Sequence, residues 1–174
     1  MRLLRGEVWF DVAHDADRPF VVESDRARVR VLGTRFSVAQ QHGHTRVRLA
    51  QGHVEAAVDG GERVTLAPGQ SVEVVGGQLA AVEPFDPTVA FAWRQRQLVF
   101  RQQPLGEVVE QLNRYRRGLL VVRSEELERK VVSGVFEIDK PDAALRALRL
   151  TLGLRVEQYT PYLTLIGPAE TSSR

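Results

Sequence analysis

His14, Asp15 and Asp17 crowd together in the stretch GEVWFDVAHDADRPFVV, residues 6–22. An imidazole beside two carboxylates could ligate a divalent cation or relay a proton. The segment QQHGH adds His42 and His44. On a strand, two histidines at that spacing would share a face and grip a metal from one side. Each cluster also has a plainer use. Asp side chains bond to nearby backbone, and Pro19 fixes the chain as it re-enters, so residues 14–19 read as a turn with a strand on either side, as at a hairpin tip. Gly43, between the two histidines, marks another tip. A metal centre needs further ligands from distant strands, and the sequence names none. His53 stands alone. These residues are assigned to turns and surface.

Other chemistries find less support. The chain has no cysteine, which excludes disulfides, thiol catalysis and zinc–thiolate sites. The glycines of APGQ and VVGGQ join strand to strand and match no phosphate-binding loop. Asp139 and Asp142 flank a helix start, where acids suit the dipole. No nucleophile–base pair stands out, so an enzyme is not expected, and no cofactor or metal is assigned. Residues 1–83 hold 10 basic against 11 acidic residues, and the remainder 14 against 11. That excess is too small and too scattered to mark a nucleic-acid binder. No apolar run reaches membrane-spanning length, so this stretch makes no direct membrane contact.

The elements that would position these residues differ between the two halves. Residues 6 to about 83 break into short β-branched segments, among them EVWFDV, PFVVES, ARVRVLG, TRFSVAQ and TRVRLAQG, separated by Gly, Asp and Pro. Alternation in RVRVLG sets Val29, Val31 and Gly33 on one side and Arg28, Arg30 and Leu32 on the other. This is the grammar of an antiparallel roll or sandwich with one wet face. From Glu83 the period changes. EPFDPTVAFAWRQRQ reads as a linker with a helical turn or two.

Beyond it, QLVFRQQPLGEVVEQLNRYRRGLLVV reads as strand, helix, strand. Pro104 takes the first helical position, Leu105, Val108, Val109, Leu112 and Tyr115 form the apolar stripe, and Gly118 closes the helix. VVSGVFEIDKPDAALRALRLTLGLRVEQ repeats the plan, with Pro141 opening the helix, Ala144, Leu145, Leu148 and Leu152 inside, and Gly153 closing it. Setting Phe100 on Phe136 also sets Val109 on Leu145 and Leu112 on Leu148. Two such units imply a duplicated βαβ-type module with a shared core. The fold class expected is α+β. Residues 1–83 form the all-β domain, 84–96 the linker, 97–167 the duplicated module and 168–174 a disordered tail.

The order of these segments resembles one family. LLRGEVWFDVAHDADRPFVVES, ARVRVLGTRFSV, VRLAQGHVEA and LAPGQSVEV are similar to the periplasmic β domain of FecR-type transmembrane anti-sigma regulators. WRQRQLVFRQQPLGEVVEQLNRY followed by VSGVFEIDKPDAALRAL resembles the secretin/TonB short N-terminal domain that closes those proteins. The resemblance implies a sensor in the periplasm, part of a single-pass inner-membrane protein. Its partner would be the N-terminal signalling domain of a TonB-dependent outer-membrane receptor for a siderophore or haem. The output would be control of an extracytoplasmic-function sigma factor for iron uptake. The sigma-binding segment, the membrane helix and the first β-domain strands of that family do not occur in this sequence. If these residues stood alone in a cell, the cytoplasm would be the expected compartment.

Two places are singled out for the receptor. One is the strand Tyr162, Leu163, Thr164 and Leu165, taken as an accessible sheet edge able to accept a partner strand. The other is the helix face with Arg114, Arg116 and Arg117, suited to an acidic patch. The residues alone also leave open an envelope scaffold module and a small-ligand-binding β domain.

Overall fold

The structure, a computed structural model, describes residues 1–15 and 17–169. It divides into two compact units, Met1–Pro87 and the chain from Thr88 onward. The class is α+β, with antiparallel pairing dominant. Among the described residues, no helix is long and apolar enough to cross a membrane.

In the first unit the strands run β1 (Gly6–Asp11), β2 (Phe20–Ser24), β3 (Ala27–Val31), β4 (Arg35–Gln41), β5 (His44–Gln51), β6 (Val54–Val58), β7 (Arg63–Leu66), β8 (Gln70–Val75), β9 (Gln78–Leu79) and β10 (Glu83–Pro84). They form two sheets, ordered β1-β4-β5-β8-β10 with β9 on β8, and β2-β3-β6-β7. The alternation read from RVRVLG holds: Val29 and Val31 are buried while Arg28 and Arg30 are exposed. Both sheets contribute to one core around Phe10, Phe36, Val38, Leu49, Val29 and Leu66. Phe10 and Phe36 stack with ring centres 4.9 Å apart.

The turn bonding expected of Asp15 is present. Asp15 Oδ1 accepts the backbone N–H groups of Asp17 and Arg18, each at 3.1 Å, and Asp15 Oδ2 accepts Arg18 Nε at 2.9 Å. Ala16 lies outside the described residues. The turn does not tip a hairpin, however: β1 pairs with β4 and β2 with β3, so the segment carries the chain from one sheet to the other. The return crossing lies beside it. Val12 and Thr34 exchange backbone hydrogen bonds at 3.1 and 3.0 Å, and Asp15 N–H donates to Leu32 O at 3.0 Å. A third crossing, at Gly52 and His53, is held by Thr34 Oγ1 donating to His53 O at 3.0 Å.

The second unit opens with α1 (Pro87–Ala90), which spans the division, and a 3-10 turn at Ala92–Gln95. There follow β11 (Gln97–Pro104), α2 (Leu105–Asn113), β12 (Leu119–Val122), α3 (Glu125–Glu128), β13 (Val131–Glu137), α4 (Pro141–Leu152), β14 (Leu154–Thr160) and β15 (Leu163–Pro168). β11 and β13 make a two-stranded sheet, and β12-β15-β14 a three-stranded one. The helices α2 and α4 pack on strands of both sheets. One core gathers Phe100, Leu105, Val109, Leu112, Leu145, Leu148 and Ile166, drawn from both segments read as repeats.

Four details depart from the sequence reading. Pro104 ends β11 and caps α2 at φ −56°, ψ 139°, with Leu105 as the first helical residue. Gly118 does not close α2, which stops at Asn113; at φ 85° it lets β12 approach β15, where a Cβ would lie 2.7 Å from Tyr162 O. The short helix α3, capped by Ser124 and anchored by buried Leu127, went unforeseen because EELE has only one apolar residue to signal a period. Lastly, Leu163, Thr164 and Leu165 lie in β15, which is central and not an edge, and Tyr162 lies in the turn before it. Of the residues expected to form a disordered tail, Pro168 ends β15, and 170–174 lie outside the described residues.

The close crossings set a specific sensitivity. At Gly33 (φ 142°) a Cβ would lie 2.6 Å from His14 Cα, and at Gly52 (φ 92°) 2.7 Å from Gly33 O. Gly33→Ala and Gly52→Ala should each cost about 2–4 kcal/mol in urea unfolding, because backbone must move as well as strain. Gly60→Ala meets open space and bears only the strain of its positive φ (110°), so it should cost less, about 1–2 kcal/mol.

Candidate docking face

Chemistry-bearing residues of the first unit stay apart. His42 (φ 48°) and Gly43 (φ 76°) form the tip of the β4–β5 hairpin. His44 Nδ1 lies 3.4 Å from Glu73 Oε1, which belongs to β8. His14 and His53 both line a cleft of about 460 Å³ at the sheet crossings, with Arg30, Glu55 and Thr65. Among the described residues no three His, Asp or Glu side chains converge on a metal-sized point.

The second unit brings together the two places singled out from sequence, although neither has the form expected. β15 is hydrogen-bonded to β12 on one side and to β14 on the other. Thr164 is 3% exposed and faces the core. No flank of β15 is left to receive a foreign strand, so strand addition at Tyr162–Leu165 is overturned. What these residues do offer is a face. Because Thr164 and Ile166 point inward, Leu163 and Leu165 point outward. The register sets Leu163 beside Leu119 and Leu165 beside Val121. Leu119 is 51% exposed, and Tyr159 and Tyr162, which flank the β14–β15 turn, are 75% and 72% exposed. Further along the same face Arg123, Arg155, Glu157 and Leu165 line a shallow depression of about 630 Å³.

The arginines arrive at the other end of this face. Leu119 N–H donates to Tyr162 O at 2.7 Å, so the chain that follows Arg117 enters β12 beside Tyr162. The three arginines are not alike. Arg116 Nε donates to Asp142 Oδ1 at 2.8 Å, and its side chain is only 14% exposed. It ties the end of α2 to the first turn of α4 and cannot also meet a partner. Arg114 lies 3.7 Å from Glu110 along its own helix. Arg117 is exposed and reaches toward solvent. Asp139 and Asp142, read as dipole-complementing acids, prove to be anchor points for Arg96 and Arg116.

Arg96 makes a two-point clamp on Asp139, with Nε 2.6 Å from Oδ2 and a second short contact from the other guanidinium nitrogen. Hydrogen bonding from Arg96 holds the Asp139 carboxyl below the usual aspartate range, and the same bond raises the Arg96 guanidinium. The clamp sits at the end of β13, where Ile138 N–H also donates to Arg96 O at 2.9 Å. Its contribution is present above the ordinary aspartate pKa and fades as pH falls through the lowered one.

Residues 1–55 match the family model described as FecR protein. Two crystal structures of a candidate anti-sigma factor from Parabacteroides distasonis ATCC 8503 share the fold, with TM-scores of 0.77 and 0.76 and 24% identity. The match covers 97% of this chain and 82% and 81% of theirs. No curated protein matches the chain. The resemblance to the FecR family thus rests on residues 1–55, and the solved structures show a shared fold.

Two outcomes separate anchors from free charges. Arg116→Ala should lower stability by about 1–2 kcal/mol in denaturant unfolding, whereas Arg117→Ala should stay within about 0.5 kcal/mol. By carbon-detected NMR titration, the Asp139 carboxyl should titrate below an ordinary aspartate, and Arg96→Ala should return it upward.

Proposed function

We propose that this chain is the signal-relay region of an anti-sigma regulator. It binds the N-terminal signalling domain of a TonB-dependent outer-membrane receptor in the periplasm. It thereby controls an extracytoplasmic-function sigma factor, held by a segment outside this sequence, and through it iron-uptake transcription. The similarity of residues 1–55 to the FecR family and the fold shared with a candidate anti-sigma factor support the regulator role. The receptor, the iron connection and the compartment follow from the family resemblance.

One observation carries the binding site: the outward row Leu119, Val121, Leu163 and Leu165, flanked by Tyr159 and Tyr162, on a sheet whose other face already covers the core. A sheet with one face on the core ordinarily turns polar residues to water on the other. Apolar and aromatic side chains gathered there mark an interaction surface. The tyrosines supply large contact area with few rotatable bonds, as aromatic anchors do. Arg117 at one end and Arg123 at the other lend the rim a positive sign that speeds encounter with an acidic partner. Affinity comes from face-to-face burial, not from an added strand.

Calorimetric titration of the chain with the receptor's signalling domain tests this. Binding should be seen, and Tyr162→Ala or Leu165→Asp should weaken it about tenfold or more. Leu150→Asp, at a 77% exposed position on α4, should leave it unchanged. Arg117→Glu should slow association at low salt more than at high salt. Absence of any complex at several hundred micromolar, or indifference to both sheet-face substitutions, would refute the assignment.

A further inference from the structure

The two-stranded sheet poses a separate question, since β11 and β13 each have one flank without a strand among the described residues. Natural sheets protect such flanks with short strands, charges or bulges. The other exposed strands of this unit have those devices. β12 is only four residues long. β14 carries Arg155 and Glu157 and breaks register between Gln158 and Thr160. β11 bulges between Phe100 and Gln103, where Gln102 (φ 49°) donates its N–H to Ser133 Oγ at 2.9 Å.

β13 has none of these. Its seven residues, VVSGVFE, contain no proline and no charge before Glu137. Val132 is buried and Phe136 packs on the core, so Val131, Ser133 and Val135 face outward, with the two valines 57% and 60% exposed. A strand rich in β-branched residues, uncharged through its middle and open along one flank, is a template for pairing.

We propose that β13 pairs antiparallel with β13 of a second copy of this chain, across a two-fold axis at Ser133. The two sheets then join as one of four strands. This register is self-complementary, as a two-fold contact must be. Val131 stands opposite Val135 of the second copy and Arg129 opposite its Glu137. On the core side Val132 stands opposite Gly134, which has no side chain to obstruct it. Moving the axis to Gly134 sets Val131 against Glu137 and breaks up the valine pair. Arg129 and Glu137 now make solvent-exposed pairs with Glu125 at 3.6 Å and Lys140 at 2.8 Å. Such pairs contribute little and exchange readily. The pairing uses neither the tyrosine-bearing face nor the receptor, and it closes at two copies rather than propagating into a ring.

The absence of native cysteine makes the test direct. In the full chain with Ser133→Cys, mild oxidation should give a disulfide-linked dimer. Directly opposed Cα atoms of an antiparallel pair lie about 4.5–5.5 Å apart, within disulfide reach. Val135→Cys places the thiol off the axis and should cross-link about tenfold less. Light scattering on the unmodified chain should show mass rising to that of a dimer with concentration. Val135→Lys should weaken this about tenfold or more while leaving the thermal melt of the dilute monomer unchanged. A strict monomer at about half-millimolar concentration, equal cross-linking of the two cysteine variants, or growth beyond two copies would each overturn the proposal.

Discussion

Backbone hydrogen bonding decides what each strand of the second unit can offer a partner. A buried N–H or C=O must be satisfied, and β15 satisfies both flanks, against β12 in parallel and β14 in antiparallel pairing. That arrangement removes strand addition from β15 and leaves only its side chains to offer a partner. The same accounting in the two-stranded sheet leads to the opposite result, because β13 has a flank with no strand paired to it among the described residues. One small unit therefore holds two different kinds of surface, a face and an edge. They are chemically distinct: the face presents leucines with two exposed tyrosines by its β14–β15 turn, whereas the edge presents main chain and two valines.

In the first unit the comparable constraint is steric. Three passages of chain between the sheets run side by side, and Gly33 and Gly52 allow a separation that any Cβ would forbid. Close by the core, Ser24 Oγ donates to Gln40 Oε1 at 2.8 Å, and Thr45 Oγ1 also donates to that oxygen. Ser24 and Thr45 are fully buried, and they belong to opposite sheets. An apolar contact at that point would hold the sheets together in many alignments. A satisfied polar cluster specifies one.

Periodicity made most of the elements legible. The alternation of RVRVLG, the stripe of α4, that of α2 from Leu105 to Leu112 and the αL cap at Gly153 are local properties, and each appears where local rules put it. Tyr115, read as the end of the α2 stripe, instead lies past the helix and is exposed. What failed was non-local. Nothing in HDADRP tells a hairpin from a sheet crossing, since an Asp turn serves either. Gly118 sits where a helix would end, yet its positive φ answers to Tyr162, 44 positions away. A strand followed by few residues looks terminal, but sequence position does not fix position in a sheet, and β15 lies in the middle. The candidate residues were thus brought together by a packing event that no single segment encodes. Arg116 and Arg117, adjacent in sequence, went to different tasks for the same reason.

That division of the arginines clarifies how a fold can persist while partners change. The solved anti-sigma candidates keep this architecture at 24% identity, so most side chains are free to differ as long as burial pattern and close approaches are kept. Arg96 and Arg116 belong with the constrained set, because their carboxylate partners lie on other elements of the same unit. Arg117, Tyr159, Tyr162 and the outward leucines answer to no internal neighbour of that kind. Selectivity for one partner over another depends on differences in affinity, and these are the positions where such differences can arise without cost to folding. On the proposed reading, a partner bound at the face and a copy paired at the edge can then vary independently.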